Sequence, residues 1–174
     1  ISNKNDLFTA PESYMEKISY PKGIDHNAID LDFSLKKNLS NLADSKNKKF
    51  ENLRICILDR PRHKKIIDEA KSLNIDVKLI SDGDVSGALL VTDEKYNIDL
   101  FLGTGGGPEG VLAASALDTY GCGFQGRFIF DTDELKKRAK KMGINDFDKK
   151  YNLDEIIKGD SLFCATGITN GDLV

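Results

Sequence analysis

Two arginines that could bind a phosphate group follow the first long apolar segment of the chain. Asp59 follows the segment 53–58, and Arg60, Pro61 and Arg62 come next. A guanidinium group offers a planar fork of donors that matches phosphate oxygens. A helix that begins at Pro61 adds free N–H groups at its first turn. A solvated basic turn in which Arg60 pairs with Asp59 is also compatible with this motif, so the motif alone leaves both interpretations open.

Two carboxylates, Asp82 and Asp84, flank Gly83 shortly after the predicted strand 76–80. Their oxygens could accept hydrogen bonds from sugar hydroxyls or bind a hard cation. They could equally cap and charge the first turn of a helix. No Glu follows at the distance of a calcium-binding loop, which argues against an EF-hand site.

A glycine-rich segment, Gly103–Gly110, follows the predicted strand 98–102 and precedes an apolar helical pattern. Glycines let a backbone or a ligand approach closely, and the helix start offers a second anion site. Glu109 would place a negative charge beside a bound phosphate. That placement makes sense if a cation lies between the two, so Glu109 is a candidate metal ligand.

The elements that must position these motifs alternate between strand and helix from residue 53 onward. The predicted strands are 53–58, 76–80, 98–102, 128–130 and 162–165, and the predicted helices are 61–74, 81–89, 108–121, 131–142 and 152–158. This alternation predicts an α/β fold with a mostly parallel sheet flanked by helices. Ligands of such sheets bind beyond the carboxyl ends of the strands. We therefore expect Arg62, Asp82 and Glu109 to line a common cleft for a phosphorylated, hydroxylated ligand.

Composition limits the other classes of function. The chain has 174 residues, of which 40% are hydrophobic and 30% charged, and a net charge of -3. The chain lacks the basic excess that is typical of proteins that bind nucleic acid. No apolar run approaches the roughly 20 residues that span a bilayer. Three cysteines without a CxxC pair suit a reducing cytoplasm. With only two histidines, a hard cation bound by oxygen ligands is favoured over a His-rich site.

At these same residues the sequence resembles the class II fructose-1,6-bisphosphatases, including the bifunctional fructose/sedoheptulose bisphosphatases. The matching stretches run in the family's order over nearly the whole chain. They are 10–17, 59–63, 80–85, 103–114, 125–127, 142–144 and 165–169.

The resemblance implies a layered sugar-phosphatase fold like that of inositol monophosphatase. It implies hydrolysis of the 1-phosphate of fructose 1,6-bisphosphate, and of sedoheptulose 1,7-bisphosphate as an open possibility, in gluconeogenesis or the Calvin cycle. The implied cofactor is Mn²⁺ or Mg²⁺, and the implied assembly is a homo-oligomer. The implied metal ligand is Glu109, and the implied substrate-binding residues are Tyr14, Arg60, Pro61, Arg62, Asp82, Gly83, Asp84 and Gly106.

The chain departs from the family pattern at both ends. The family's other metal carboxylates precede the tyrosine motif and are absent here, as is the tail after Asp172. We therefore expect the C-terminal portion of a longer protein, inactive alone. Residues 1–50, which look polar and irregular apart from a short amphipathic stretch at 38–42, would connect to the missing metal-binding part. Residues 51–174 would form the α/β sugar-phosphate-binding domain.

Two alternatives stay open. Gly105, Gly107 and Gly110 satisfy the G-x-G-x-x-G pattern of a dinucleotide-binding oxidoreductase, with Asp131 as the ribose-binding acid. Pro108 and Glu109 disfavour this, because the first removes an N–H from the pyrophosphate site and the second adds a negative charge. The missing carboxylates also allow a non-catalytic phosphosugar sensor.

Overall fold

A six-stranded mixed sheet with helices on both faces forms the described part of the protein, residues 1–167 of a computed structural model. The matching stretch 165–169 lies partly outside these residues. In spatial order the sheet is β3-β2-β4-β1-β5-β6. The strands are β1 (Tyr14–Tyr20), β2 (Arg54–Leu58), β3 (Asp76–Ile80), β4 (Leu100–Gly106), β5 (Gly123–Ile129) and β6 (Lys150–Asn152).

The prediction of a mostly parallel sheet is wrong. Strand β2 is parallel to β3 and β4, but β1 is antiparallel to both β4 and β5, and β6 is antiparallel to β5. The reason is β1, which inserts between β4 and β5 and runs against both. As a result, the amino end of β1 lies beside the carboxyl ends of β4 and β5. We call this side of the sheet, with the carboxyl ends of β2 and β3, the carboxyl edge.

The helices after residue 60 begin and end close to their predicted limits. They are α2 (Lys64–Ser72), α3 (Asp84–Leu89), α4 (Gly107–Thr119), α5 (Asp133–Lys141) and α6 (Leu153–Ile156), and they follow α1 (Leu35–Ser45). A single-turn 3-10 helix, Pro61–His63, leads into α2. Side-chain caps explain several of the starts: Ser34 accepts a hydrogen bond from the N–H of Lys37, and Thr132 accepts one from Leu135.

Two apolar cores lie on opposite faces of the sheet. Residues of α1 and α2 pack with Ile18, Ile55 and Leu102 on the α1–α2 face. Residues of α3 and α4 pack with Met15 and Phe101 on the α3–α4 face. Because both faces are covered, the central strands are buried on both sides. Within the described residues, none of the helices combines the length and the apolar character needed to cross a membrane.

The first 50 residues are not the irregular segment expected from the sequence. They contain β1 in the middle of the sheet and the whole of α1. The pattern hides β1 because both of its faces are buried, so Lys17 and Ser19 are buried as fully as Ile18. These residues therefore share a sheet with residues beyond 50, whereas their role in joining a further metal-binding part stays a prediction.

The predicted end of β4 is also wrong, as are the predicted start of β5, which begins at Gly123 and not at 128, and the predicted strand at 162–165. Strand β4 continues through the glycines predicted to form a turn, since Gly103, Gly105 and Gly106 pair in register with β1. Residues 162–165 form no strand. The nearest bridge joins Ser161 to Ser2, and β6 already occupies the place beside β5.

Candidate active site

Tyr14 begins β1 at the carboxyl edge, opposite Gly106 on one side and Ile129 on the other. Its side chain is about half exposed. The guanidinium carbon of Arg62 lies 5.2 Å from the centre of the Tyr14 ring, which is a cation–π contact. The antiparallel course of β1 therefore brings a tyrosine from the start of the chain to the arginine motif.

The backbone of β4 holds Arg62 in place. The Nε–H of Arg62 donates to the carbonyl oxygen of Thr104 at 2.8 Å. This bond uses Nε and leaves the terminal nitrogens for the oxygens of an anion. A phosphate at this point would meet the forked donor arrangement that arginine presents.

His63 contacts the same residue of β4, Thr104. It is buried, and its Nε2 accepts a 2.8 Å hydrogen bond from the N–H of Thr104 while its Nδ1 lies 2.8 Å from the carbonyl oxygen of Leu58. A backbone N–H can only donate, so the ring is neutral with its proton on Nδ1. Burial, with further contributions from the charges of Arg62 and Arg60, lowers the pKa of His63. His63 therefore links the end of β2 to β4 and carries no charge.

Arg60 and Asp82 face each other across the ends of β2 and β3. A terminal nitrogen of Arg60 lies 3.4 Å from Oδ1 of Asp82, whose side chain is 90% exposed. Such an exposed pair contributes little stability and can exchange for a ligand. Between Asp82 and α3, Gly83 has a φ of 82°, the left-handed region that favours glycine.

Asp84, the first residue of α3, pairs with Lys17, which is 1% exposed in β1. Burial lowers the pKa of Lys17, and the charges of Asp84 and Glu109 oppose this shift while that of Arg62 adds to it. These four side chains therefore share one electrostatic environment. Lys17 was missed from the sequence, because residues 14–20 lack the alternation of apolar and polar residues that indicates a strand.

Glu109 lies in the first turn of α4 and folds back over the end of β4. A Cβ at Gly106 would lie only 1.8 Å from its Oε2, so the carboxylate occupies the space that any side chain at Gly106 would need. Both residues, with Tyr14 and Asp131, line an open pocket of about 440 Å³. A carboxylate oxygen suits a hard cation. Within residues 1–167, however, no group of three or more His, Cys, Asp or Glu side chains is placed to hold a metal, so Glu109 would need further ligands.

All the predicted site residues lie at the carboxyl edge, but they surround more than one opening. Arg62 lines a second cavity of about 440 Å³ on the α1–α2 face, together with Lys17 and Thr104. Neither cavity contains Arg62, Asp82 and Glu109 together. The contact between Tyr14 and Arg62 connects the two openings.

Packing explains the glycines of the dinucleotide-binding alternative. A Cβ at Gly107 would lie 3.0 Å from the backbone oxygens of Pro11 and Ser13, and one at Gly110 would lie 2.4 Å from the sulfur of Met15. A dinucleotide-binding unit also joins neighbouring parallel strands, whereas antiparallel β1 separates β4 from β5. The geometry therefore does not favour that alternative.

Comparison with known proteins identifies the family. The family model described as bacterial fructose-1,6-bisphosphatase, glpX-encoded, matches residues 1–174. Proteins named D-fructose 1,6-bisphosphatase class 2/sedoheptulose 1,7-bisphosphatase from Synechocystis sp. and Trichodesmium erythraeum are each 39% identical over 187 residues, and one from Microcystis aeruginosa is 38% identical. Each match covers the whole of this chain and 54% of the relative, so the chain spans about half the relatives' length. The expectation that it is the C-terminal portion receives no support. The chain belongs to the family of bacterial, glpX-encoded fructose-1,6-bisphosphatases.

Proposed function

We propose that the complete protein hydrolyses the 1-phosphate of fructose 1,6-bisphosphate, and that of sedoheptulose 1,7-bisphosphate as a second substrate. The names of the relatives support this substrate class. The observation that carries the proposal is the convergence of Tyr14, Arg62 and Glu109 at one sheet edge from three distant parts of the chain. A bisphosphate needs separate groups for its two charged ends, and this edge offers guanidinium donors and a carboxylate.

In this proposal the phosphate that is not cleaved binds to Arg60, Arg62 and Tyr14. Pro61, Gly83 and Gly106, at the ends of β2, β3 and β4, would border the bound ligand. Asp82 and Asp84 accept hydrogen bonds from sugar hydroxyls. Binding of this remote end orients the reacting end, and orientation supplies a large share of the rate enhancement.

Glu109 is proposed to bind a divalent cation, Mn²⁺ or Mg²⁺. When bound, such a cation polarises the reacting phosphate and lowers the pKa of an attacking water. Further ligands would come from the carboxylates that the family pattern places outside this chain, since residues 1–167 contain no group of three or more His, Cys, Asp or Glu side chains placed to hold a metal. For the same reason we expect the chain alone to hydrolyse the bisphosphate poorly.

The rest of the proposal follows the family. The complete protein would adopt the layered sugar-phosphatase fold, assemble as a homo-oligomer and act in the cytoplasm in gluconeogenesis or the Calvin cycle. The segment 1–50 would connect the sheet to the part that carries the other metal ligands. A nucleic-acid partner is not expected at a net charge of -3.

Phosphate release from fructose 1,6-bisphosphate by the complete protein tests the function. We expect release with Mn²⁺ or Mg²⁺ and none after chelation. Glu109→Gln should reduce kcat/KM by about a hundredfold or more, because it removes a charged ligand at the reacting centre. Glu134→Gln, an exposed change on α5, is the control.

Three outcomes would contradict the proposal. Full activity of Glu109→Gln would remove that residue from the metal site. Tight bisphosphate binding without turnover would indicate a sensor. Binding of NAD without any metal would indicate the dinucleotide-binding alternative.

A further inference from the structure

Lys17 is a buried charge that the proposed reaction does not use. It lies in the central strand β1, is 1% exposed, and forms an ion pair with Asp84, whose side chain is 13% exposed. Taking both charges out of water costs several kcal/mol per ion, which their attraction offsets only with good geometry. A buried pair therefore seldom stabilises a fold more than apolar side chains would. Some other requirement must explain its presence at this position.

The glycine-rich segment makes the room that this pair occupies. A Cβ at Gly105 would lie 2.1 Å from Oδ2 of Asp84 and 3.2 Å from Nζ of Lys17. A Cβ at Gly110 would lie 3.3 Å from Cε of Lys17. The two glycines come from different elements, β4 and α4, yet both border the same ion pair. The close approach that glycine permits here is therefore made by side chains of the protein itself.

A fully buried acid elsewhere in the sheet region shows how the Lys17 pair differs. Asp99 is also buried, at the opposite end of β4, and pairs with Lys46 and Lys48 at 2.5 and 2.7 Å. Those lysines are about one quarter exposed, so water still solvates them. Lys17 is withdrawn from water, while its acid lies at the carboxyl edge beside the proposed substrate.

We propose that Lys17 is a positioning residue that holds the Asp84 carboxylate in the orientation needed to accept a substrate hydroxyl. The inference rests on the function proposed above. The ammonium group of Lys17 also interacts with the charges of both Asp84 and Glu109. It therefore offsets the repulsion between these two carboxylates, both of which the proposed site uses. Lys17 acts through Asp84 and does not itself contact the sugar.

A double-mutant cycle in the complete enzyme tests this role, with KM and kcat for fructose 1,6-bisphosphate measured for each variant. Lys17→Met should raise KM about tenfold, the equivalent of a charge-assisted hydrogen bond, with a smaller change in kcat. In an Asp84→Asn background, the same substitution should change KM less than about twofold, because its target is already altered. Equal effects in both backgrounds would mean a general structural role and would overturn the proposal.

Each test substitution has a control variant at a comparable position. Lys46→Met removes a lysine from the buried acid Asp99 and should leave KM unchanged. If Lys17→Met does not fold, Gly105→Ala keeps both charges but forces Asp84 aside, so it should raise KM. Gly103→Ala is its control on the same face of β4, where the new Cβ would lie 3.3 Å from Leu58 and 3.4 Å from Phe101.

The wild-type enzyme in the same assay separates the two proposals. A wild type that releases no phosphate would overturn the proposed function and this role with it. An active wild type in which Gly105→Ala and Gly103→Ala behave alike would overturn the role of Lys17 alone.

Discussion

Arg62 depends on the backbone of β4 for its position. Its Nε–H donates to the carbonyl oxygen of Thr104, and the N–H of Thr104 donates to His63, so the backbone of one residue orients both the charged and the neutral side chain. The arginine is exposed, but this anchoring lowers the number of orientations that it must lose on binding a phosphate.

Replacing Arg62 by Ala in the complete enzyme should raise KM for fructose 1,6-bisphosphate by about tenfold to a hundredfold. The physical reason is the loss of a charged hydrogen bond to phosphate, typically about 1.5–3 kcal/mol. Steady-state kinetics check the prediction, and Arg138→Ala, which breaks an exposed pair on α5, is the control. Equal KM values for both variants would exclude Arg62 from the site.

His63 should make stability depend on pH between 5.5 and 7.5. Its pKa is lowered in the folded protein, so the unfolded chain binds the proton more readily and stability rises with pH. The contribution of neutral His63 to the free energy of unfolding is fully present above the ordinary histidine pKa of 6.5. It is lost as the pH falls below that value. Urea unfolding at the two pH values measures the change.

The two histidines provide the comparison for that experiment. His63→Gln should reduce the difference in unfolding free energy between pH 5.5 and 7.5, whereas His26→Gln, at an exposed position, should keep it. A difference that survives in His63→Gln would assign the effect to another group.

Among the elements, α4 is the one whose docking places Glu109. The helix begins at Gly107, which donates its N–H to the carbonyl of Ser13 at 2.7 Å. Two of the atoms nearest to a new Cβ there are backbone oxygens, which cannot rotate away. The helix start is therefore locked against the segment that leads into β1.

Gly107→Ala should lower the free energy of unfolding by about 1–3 kcal/mol, the usual cost of overpacking. It should also reduce activity, because α4 carries Glu109. Denaturant unfolding measures the first effect, with Leu112→Ala as the control, since Leu112 is on the same helix and half exposed. A Gly107→Ala variant as stable as the control would show that the helix start can shift freely.

Element prediction succeeded where local chemistry decides the structure. Pro61 marks a helix start through its fixed φ, and Thr132 marks another through its side-chain cap. Asn74, with a φ of 56°, marks a helix end. It failed at β1, because a strand buried on both faces shows no clear alternation of apolar and polar residues. It failed at the end of β4 because glycine suits a turn and a closely packed strand equally well.

At the scale of the whole molecule, β1 joins the two halves of the sheet. It is the strand between β4 and β5, and its side chains Met15 and Ile18 are fully buried in opposite cores. Without β1, the edges of β4 and β5 would be left unpaired and both cores would lose part of their cover.

Residues 51–174 expressed alone should therefore fail to form the native sheet, although the sequence suggested that they are a domain. Circular dichroism and the dispersion of amide resonances, compared with those of residues 1–174, check this. Native dispersion in the shorter chain would mean that β4 and β5 can close without β1.

The sequence by itself determined the chemistry of the site motifs, the α/β class and five helices, because these depend on residue type and on neighbours within a few positions. Tertiary structure alone decided the antiparallel insertion of β1, the contact of Tyr14 with Arg62, and the burial of Lys17 against Asp84. Each of these depends on which strands become neighbours. That choice is made by packing between residues 48 to 115 positions apart, and local patterns in the chain carry little information about it.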